Sequence, residues 1–164
     1  SPDVRVAACP PGHPLAGQLR CIARRALPPG LAVVYAGEVY ESEKDHDAYS
    51  SEYSIRAAGG RVVDGARYCN EAAFVNHYAG LSPAPNCELD SSEEVFAAVR
   101  VRRAIAPDEE LVVDYGLEYC LRNELPHPDA EAWARDFAAL SRLAGLGGQA
   151  AALELDLVAA EAGP

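Results

Sequence analysis

Two short stretches constrain this chain more than any other feature. Residues 68–86 read YCNEAAFVNHYAGLSPAPN, and residues 109–119 read EELVVDYGLEY. Neither carries a sustained helical or strand period. Each is a brief apolar run, 72–75 in the first and 111–113 in the second, ending in a polar cluster, Asn76-His77 or Asp114-Tyr115-Gly116. Apolar runs of this length bounded by turn residues read as buried strands. Polar side chains at the end of a buried strand are costly unless they are bonded. Two such ends in one chain point to a site.

At 164 residues the chain is long enough for one domain that buries roughly two thirds of its unfolded surface, and a second domain is not expected. Hydrophobic residues make up 49 % of it, yet no run approaches the ~18 apolar residues that span a bilayer, so no membrane partner is expected. No secretory signal is visible, and a chain without methionine reads as a processed product or an excised fragment. The formal net charge is −11, with an isoelectric point near 4.7. That argues against direct nucleic-acid binding, which needs clustered Lys and Arg. It suits a basic protein or peptide partner, although acidity also serves solubility alone. Cysteines stand at 9, 21, 69, 87 and 120, with no C-x-x-C pair. Zinc ligands come in close pairs, so no metal site is expected, and no disulfide framework either. Free thiols imply a reducing, intracellular setting.

In chain order, residues 1–17 are rich in Pro and Gly and read as an extended arm with a short strand at Val4–Ala8. The Gly12 to Gly17 spacing lacks the Gly-Lys-Ser/Thr ending of a phosphate loop. Residues 19–25 alternate before the turn Leu27-Pro28-Pro29-Gly30, and 31–40 follow as a strand rich in Val and Tyr. Residues 42–51 are polar and read as an exposed loop or short helix, with His46 solvated among acids. Residues 52–57 and 61–64 flank Ala58-Gly59-Gly60, a hairpin signal. In 95–103, Val95, Ala97, Val99 and Val101 share one face, with Arg100 and Arg102 on the solvated side. Ala106-Pro107-Asp108-Glu109 turns into the second polar stretch. After Cys120 the pattern becomes helical. Asp129 caps a helix on which Trp133, Phe137, Leu140 and Ala144 recur at helical spacing until Gly145, and a second helix spans 149–160.

Ala73-Phe74-Val75-Asn76-His77-Tyr78, with Pro85-Asn86-Cys87 after a short detour, resembles the first signature of the SET domain of protein-lysine methyltransferases. Glu109 to Gly116, EELVVDYG, resembles the second. Ala23, Leu27, Pro28 and Gly30, then Tyr35, Gly37 and Glu38, resemble the family's opening. Tyr53-Ser54-Ile55 and Val63-Asp64-Gly65 continue the likeness, which covers roughly residues 15–120. Departures are Gln18 and Arg20 for two early glycines, Ala73 for Arg, Tyr78 for Ser and four extra residues before Pro85. The family's three-cysteine zinc segment after the second signature is absent.

The resemblance implies a mainly β fold of small sheets, β-clip-like, with the two signatures threaded as a pseudoknot. The expected organisation is a SET domain with its N-terminal arm over 1–120. A C-terminal helical extension over 121–164 is expected to pack on it. The implied activity is methyl transfer from S-adenosylmethionine to a lysine amine. Tyr115 and Tyr35 are the expected catalytic residues. Asn76 and His77, together with the Gln18-Leu19-Arg20 loop, are expected at the cofactor, and Tyr53, Tyr78, Val113 and Tyr119 at the substrate lysine. A lysine with a pKa of ~10.4 in water must be deprotonated or desolvated before attack, and aromatic walls exclude water and align the amine. A phenol with the ordinary pKa of ~10 is a poor base at neutral pH, so the expected role of Tyr115 is orientation. Val113 stands where relatives carry Phe or Tyr, which leaves room for higher methylation. A histone tail is the expected partner, and a nuclear address follows from that substrate. A non-catalytic SET module that binds a peptide, or an enzyme acting on a non-histone protein, are the alternatives.

Overall fold

The computed structural model describes residues 1–42, 51, 53–92, 97–122, 125, 127 and 135. Two compact units divide the chain, Ser1–Tyr115 and Gly116–Pro164. The first is built from small sheets. Strand β1 (Val4–Ala8) pairs antiparallel with β2 (Leu19–Ala23), in register from Val4 opposite Ala23 to Ala8 opposite Leu19. Strand β3 (Gly30–Val34) enters a three-stranded sheet of order β3-β9-β8, with β8 at Cys87–Asp90 and β9 at Ala98–Val101. A second three-stranded sheet has the order β4-β6-β5, from Glu38–Tyr40, Val62–Asp64 and Ser54–Arg56. Last come β7 (Asn76–His77) and β10 (Val112–Val113), paired in parallel.

The expected hairpin is present. Strands β5 and β6 pair antiparallel, and the Ala57 amide donates to the Arg61 carbonyl at 2.8 Å across the turn. Gly59 and Gly60 take φ of 74° and 78°, which side chains with a Cβ rarely adopt. The alternation in β9 also holds. Ala97, Val99 and Val101 are buried, while Arg100 and Arg102 reach the β8 carboxylates of Asp90 and Glu88. Ala98, on the arginine face, is buried as well, and both edges of the central strand are paired. Val95 and His46 lie outside the described residues.

Two expected strands are corrected. Residues 31–40 are not one strand, because the chain leaves β3 after Val34 and joins a different sheet at Glu38. The break is held by Asn70, whose Nδ2 donates to the Val34 carbonyl at 2.7 Å while its Oδ1 accepts from the Ala36 amide at 3.3 Å. Gly37 completes it: a Cβ there would stand 2.6 Å from the Asp64 carbonyl carbon and 2.9 Å from the Gly65 nitrogen. Gly37→Ala is expected to cost about 1–3 kcal/mol by overpacking, read as a lower urea midpoint; an unchanged midpoint would show that the backbone yields there. The run 72–75 is likewise not a strand. Its first three residues fall in the 3₁₀ turn Glu71–Phe74, capped by Asn70 Oδ1 accepting from Ala72 N at 3.2 Å. A four-residue apolar run does not separate strand from helix, and the Asx cap decides it.

The core of this unit joins all four sheets, with Ile22, Ile105 and Leu111 almost wholly enclosed. Burial holds the Cys21 and Cys87 thiols up to about 12, so they behave as small apolar groups. In the second unit, the six-residue helix α1 (Leu117–Arg122) follows Gly116, whose φ is 87°. The helices expected from Asp129 and Gln149 onward fall, Arg135 apart, outside the described residues. Among those residues no helix is long and apolar enough to cross a membrane.

Candidate functional site

The site is assembled where the two polar stretches meet. Val75 ends the 3₁₀ turn by donating its amide to the Ala72 carbonyl, and the next two residues form β7. Asn76 stands opposite Val112 and His77 opposite Val113, and the Tyr78 amide extends the pairing to the Val113 carbonyl at 2.9 Å. The parallel pairing sets the two polar ends side by side. The Tyr115 amide donates to His77 Nδ1 at 3.2 Å, and the Tyr115 hydroxyl donates to the Val75 carbonyl at 2.8 Å. The His77 ring lies 5.4 Å from the Tyr115 ring and 4.9 Å, edge-on, from Tyr78. Nδ1 accepts from an amide, which leaves Nε2 as the donor of the ring. Asp114 Oδ1 lies 3.9 Å from Nδ1.

Asn86 ties the first stretch to the second from the other side. It is 1 % exposed. Its Oδ1 accepts from the Val112 amide at 2.8 Å, and its Nδ2 donates to the Glu110 carbonyl at 2.8 Å and to Glu109 Oε1 at 3.2 Å. Its backbone donates to the Val112 carbonyl and accepts from the Arg102 amide. A buried carboxamide with every group bonded specifies one arrangement of its neighbours.

Strand β2 supports the same locus. Ala23 and Leu111 amides donate to the Glu109 and Cys21 carbonyls, and Ile22 bridges to Glu110. This register brings the Glu110 carboxylate to the Gln18-Leu19-Arg20 loop. Glu110 Oε1 accepts from Asn76 Nδ2 at 3.0 Å, and Oε2 accepts from His13 Nε2 at 2.9 Å. The same Asn76 nitrogen reaches the Leu19 carbonyl at 3.3 Å, and Arg20 Nη1 lies 3.5 Å from Glu110 Oε2. The Leu15 amide donates to His13 Nδ1 at 3.0 Å, which places the His13 proton on Nε2, toward Glu110. Arg20 Nε is buried without a hydrogen-bond partner. Gln18 is exposed and joins only by backbone, its carbonyl accepting from the Cys9 amide.

Of the expected residues, Asn76, His77, Tyr78, Val113 and Tyr115 are thus brought together, with Leu19 and Arg20 joined to them through Glu110. Tyr35 and Tyr53 form a second group. The buried Tyr35 hydroxyl donates to the Tyr53 carbonyl at 2.7 Å, and burial, with Cys69 and Asp64 nearby, pushes its pKa up. Tyr35 is therefore a neutral donor that shapes the backbone. The Tyr53 ring is 46 % exposed, as a surface contact requires. Val113 is fully enclosed in the core cluster, so a larger side chain there meets packed neighbours. Tyr119 lies on α1 in the second unit and is half-buried. Sequence reasoning missed His13 and the roles of Glu110 and Asn86. His13 sits in a Pro/Gly-rich arm without local signal, and only the β1–β2 pairing folds that arm back over Glu110.

Among curated proteins, none matches this sequence. A family model described as the SET domain matches residues 19–116. That stretch is more than half of the chain, it opens on β2 and closes just after Tyr115, and it contains the whole parallel pairing of the two polar strand ends. The chain belongs to the SET domain family.

Proposed function

We propose that this protein is a protein-lysine N-methyltransferase that uses S-adenosylmethionine, with a basic histone tail as its substrate. One observation carries the reading: the β7–β10 pairing gathers Asn76, His77 and Tyr115 into one locus, with the Tyr115 amide bonded to His77. The threaded pseudoknot and the C-terminal helical extension over 121–164 belong to this proposal. The parallel pairing and the Asn86 clamp support the former. The net charge of −11 favours a Lys/Arg-rich partner, and the nuclear address goes with that substrate.

The donor set fits the cofactor. Its amino-acid arm carries a carboxylate and an ammonium, and its adenine offers hydrogen-bonding edges. The Asn76 carboxamide, the Glu110 carboxylate and the half-buried Arg20 guanidinium complement a zwitterion of that kind. When bound, the cofactor supplies an electrophilic methyl group on a sulfonium. Asn76 and Glu110 would hold it beside the Leu19-Arg20 backbone.

The remaining work falls to the aromatic residues. The His77, Tyr78 and Tyr115 rings form an apolar surface that excludes water and favours a neutral lysine amine over its ammonium. The Tyr115 proton is committed to Val75, so toward an amine its oxygen offers acceptor character. It orients the nucleophile for in-line attack and does not need to ionise. The proton of the lysine leaves to solvent before the amine is enclosed.

A second reading, a non-catalytic SET module binding a peptide, is favoured by Gln18 and Arg20 standing at two glycine positions of the opening loop. Calorimetric titration of S-adenosylmethionine into the purified chain separates the two. Micromolar binding is expected, with loss of at least about tenfold in Asn76→Ala, the effect of a hydrogen-bonded group on a charged ligand. Labelled-methyl transfer onto histones, set against non-histone basic proteins, then tests the substrate. No binding by folded wild-type protein would leave the binding-module reading.

A further inference from the structure

We propose that the Arg20 side chain captures the carboxylate of the cofactor's amino-acid arm. This rests on the methyltransferase reading above and assigns the group that recognises one end of the ligand. Arg20 lies on β2, locked against the second signature by the Leu111 to Cys21 backbone bond and the Ile22–Glu110 bridge. Among the described residues its acidic contact is loose: Nη1 to Glu110 Oε2 is 3.5 Å, beyond ordinary hydrogen-bond distance. The same oxygen takes a 2.9 Å bond from His13, and the other takes a 3.0 Å bond from Asn76. Both Glu110 carboxylate oxygens are thus already engaged by His13 and Asn76. Arg20 keeps a buried Nε with no partner.

A guanidinium presents Nε and one Nη as a planar fork that matches the two oxygens of a carboxylate. A donor left unmatched in a buried site is costly, and a ligand carboxylate removes that cost. The placement is right for it. Asn76 binds both Glu110 and the carbonyl of Leu19, the residue before Arg20, so the guanidinium shares a cluster with the residue assigned to the cofactor. The 3₁₀ turn Glu71–Phe74 packs against β2 and carries Ala73 where the signature has Arg, so residue 73 brings no cation. Arg20 brings a permanent cation to the cluster. The departure from glycine in the opening loop then becomes part of the binding site.

The test compares two ligands by calorimetry: S-adenosylmethionine and its decarboxylated analogue, which keeps the sulfonium and the amine. Wild-type protein is expected to bind S-adenosylmethionine at least about tenfold more tightly, the scale of a charge-assisted bond. Arg20→Ala is expected to lose that preference, weakening on S-adenosylmethionine alone, and Arg20→Lys to keep part of it. Equal affinity of the wild type for the two ligands overturns the proposal, with no variant needed. So does an Arg20→Ala protein weakened equally toward both, which marks a purely structural arginine. If the wild type binds neither ligand, the cofactor reading itself falls, and this assignment with it.

Discussion

Asn86→Ala is expected to be the most destabilising single change in the described part of the chain, at about 3–5 kcal/mol. Its carboxamide makes three bonds, to the Val112 amide, the Glu110 carbonyl and Glu109. Truncation leaves at least two backbone groups unpaired at a position 1 % exposed, each costing about 1–3 kcal/mol, besides a small cavity. Asn86→Asp tests the cause. It retains the acceptor for Val112 but sets oxygen against the Glu110 carbonyl and the Glu109 carboxylate. Partial burial pushes the Glu109 carboxyl up. Bonds from the Ala106 amide, Arg103 and Asn86 outweigh this and hold it below the usual range, so Glu109 stays charged and repels the introduced acid. Both variants should show strongly lowered urea midpoints with unchanged m-values. A loss under about 1 kcal/mol for Asn86→Ala, less than one unsatisfied group costs, would show that the polar strand ends are held together by other contacts.

Tyr115→Phe is expected to lower methyl transfer by about a hundredfold, the cost of a misplaced nucleophile. Affinity for S-adenosylmethionine should stay within about threefold, below the effect of a lost charged contact. The hydroxyl meets the Val75 carbonyl at 2.8 Å, so its removal also costs about 1 kcal/mol of stability, too little to unfold the domain. A loss in turnover with binding retained places Tyr115 at the reacting amine. Full activity in the Phe variant would make it a core tyrosine whose hydroxyl serves Val75 alone.

The same residues show what could be read in advance. Gly59 and Gly60 marked the β5–β6 hairpin because positive φ is a property of the residue itself. Val99 and Val101 marked the inner face of β9 because strand alternation is local. The family was legible because its signatures are contiguous, Asn76-His77 in one and Asp114-Tyr115-Gly116 in the other. The break after Val34 was not legible. It depends on Asn70, 36 residues away, and on the close approach of Gly37 to Asp64. The 3₁₀ turn Glu71–Phe74 depends on which way the Asn70 side chain folds, and four apolar residues carry no period to reveal it.

The site divides in the same way. The sequence by itself determined the family, the mainly β character and the two polar strand ends, because each is written in residues close together along the chain. Only the tertiary structure decided that His13, Arg20, Asn76 and Glu110 share one cluster, and that Asn86 clamps the second signature from within the core. Those contacts join residues 23 to 97 positions apart. Such contacts form only once sheet pairing and core burial offset the entropy of closing the intervening loops.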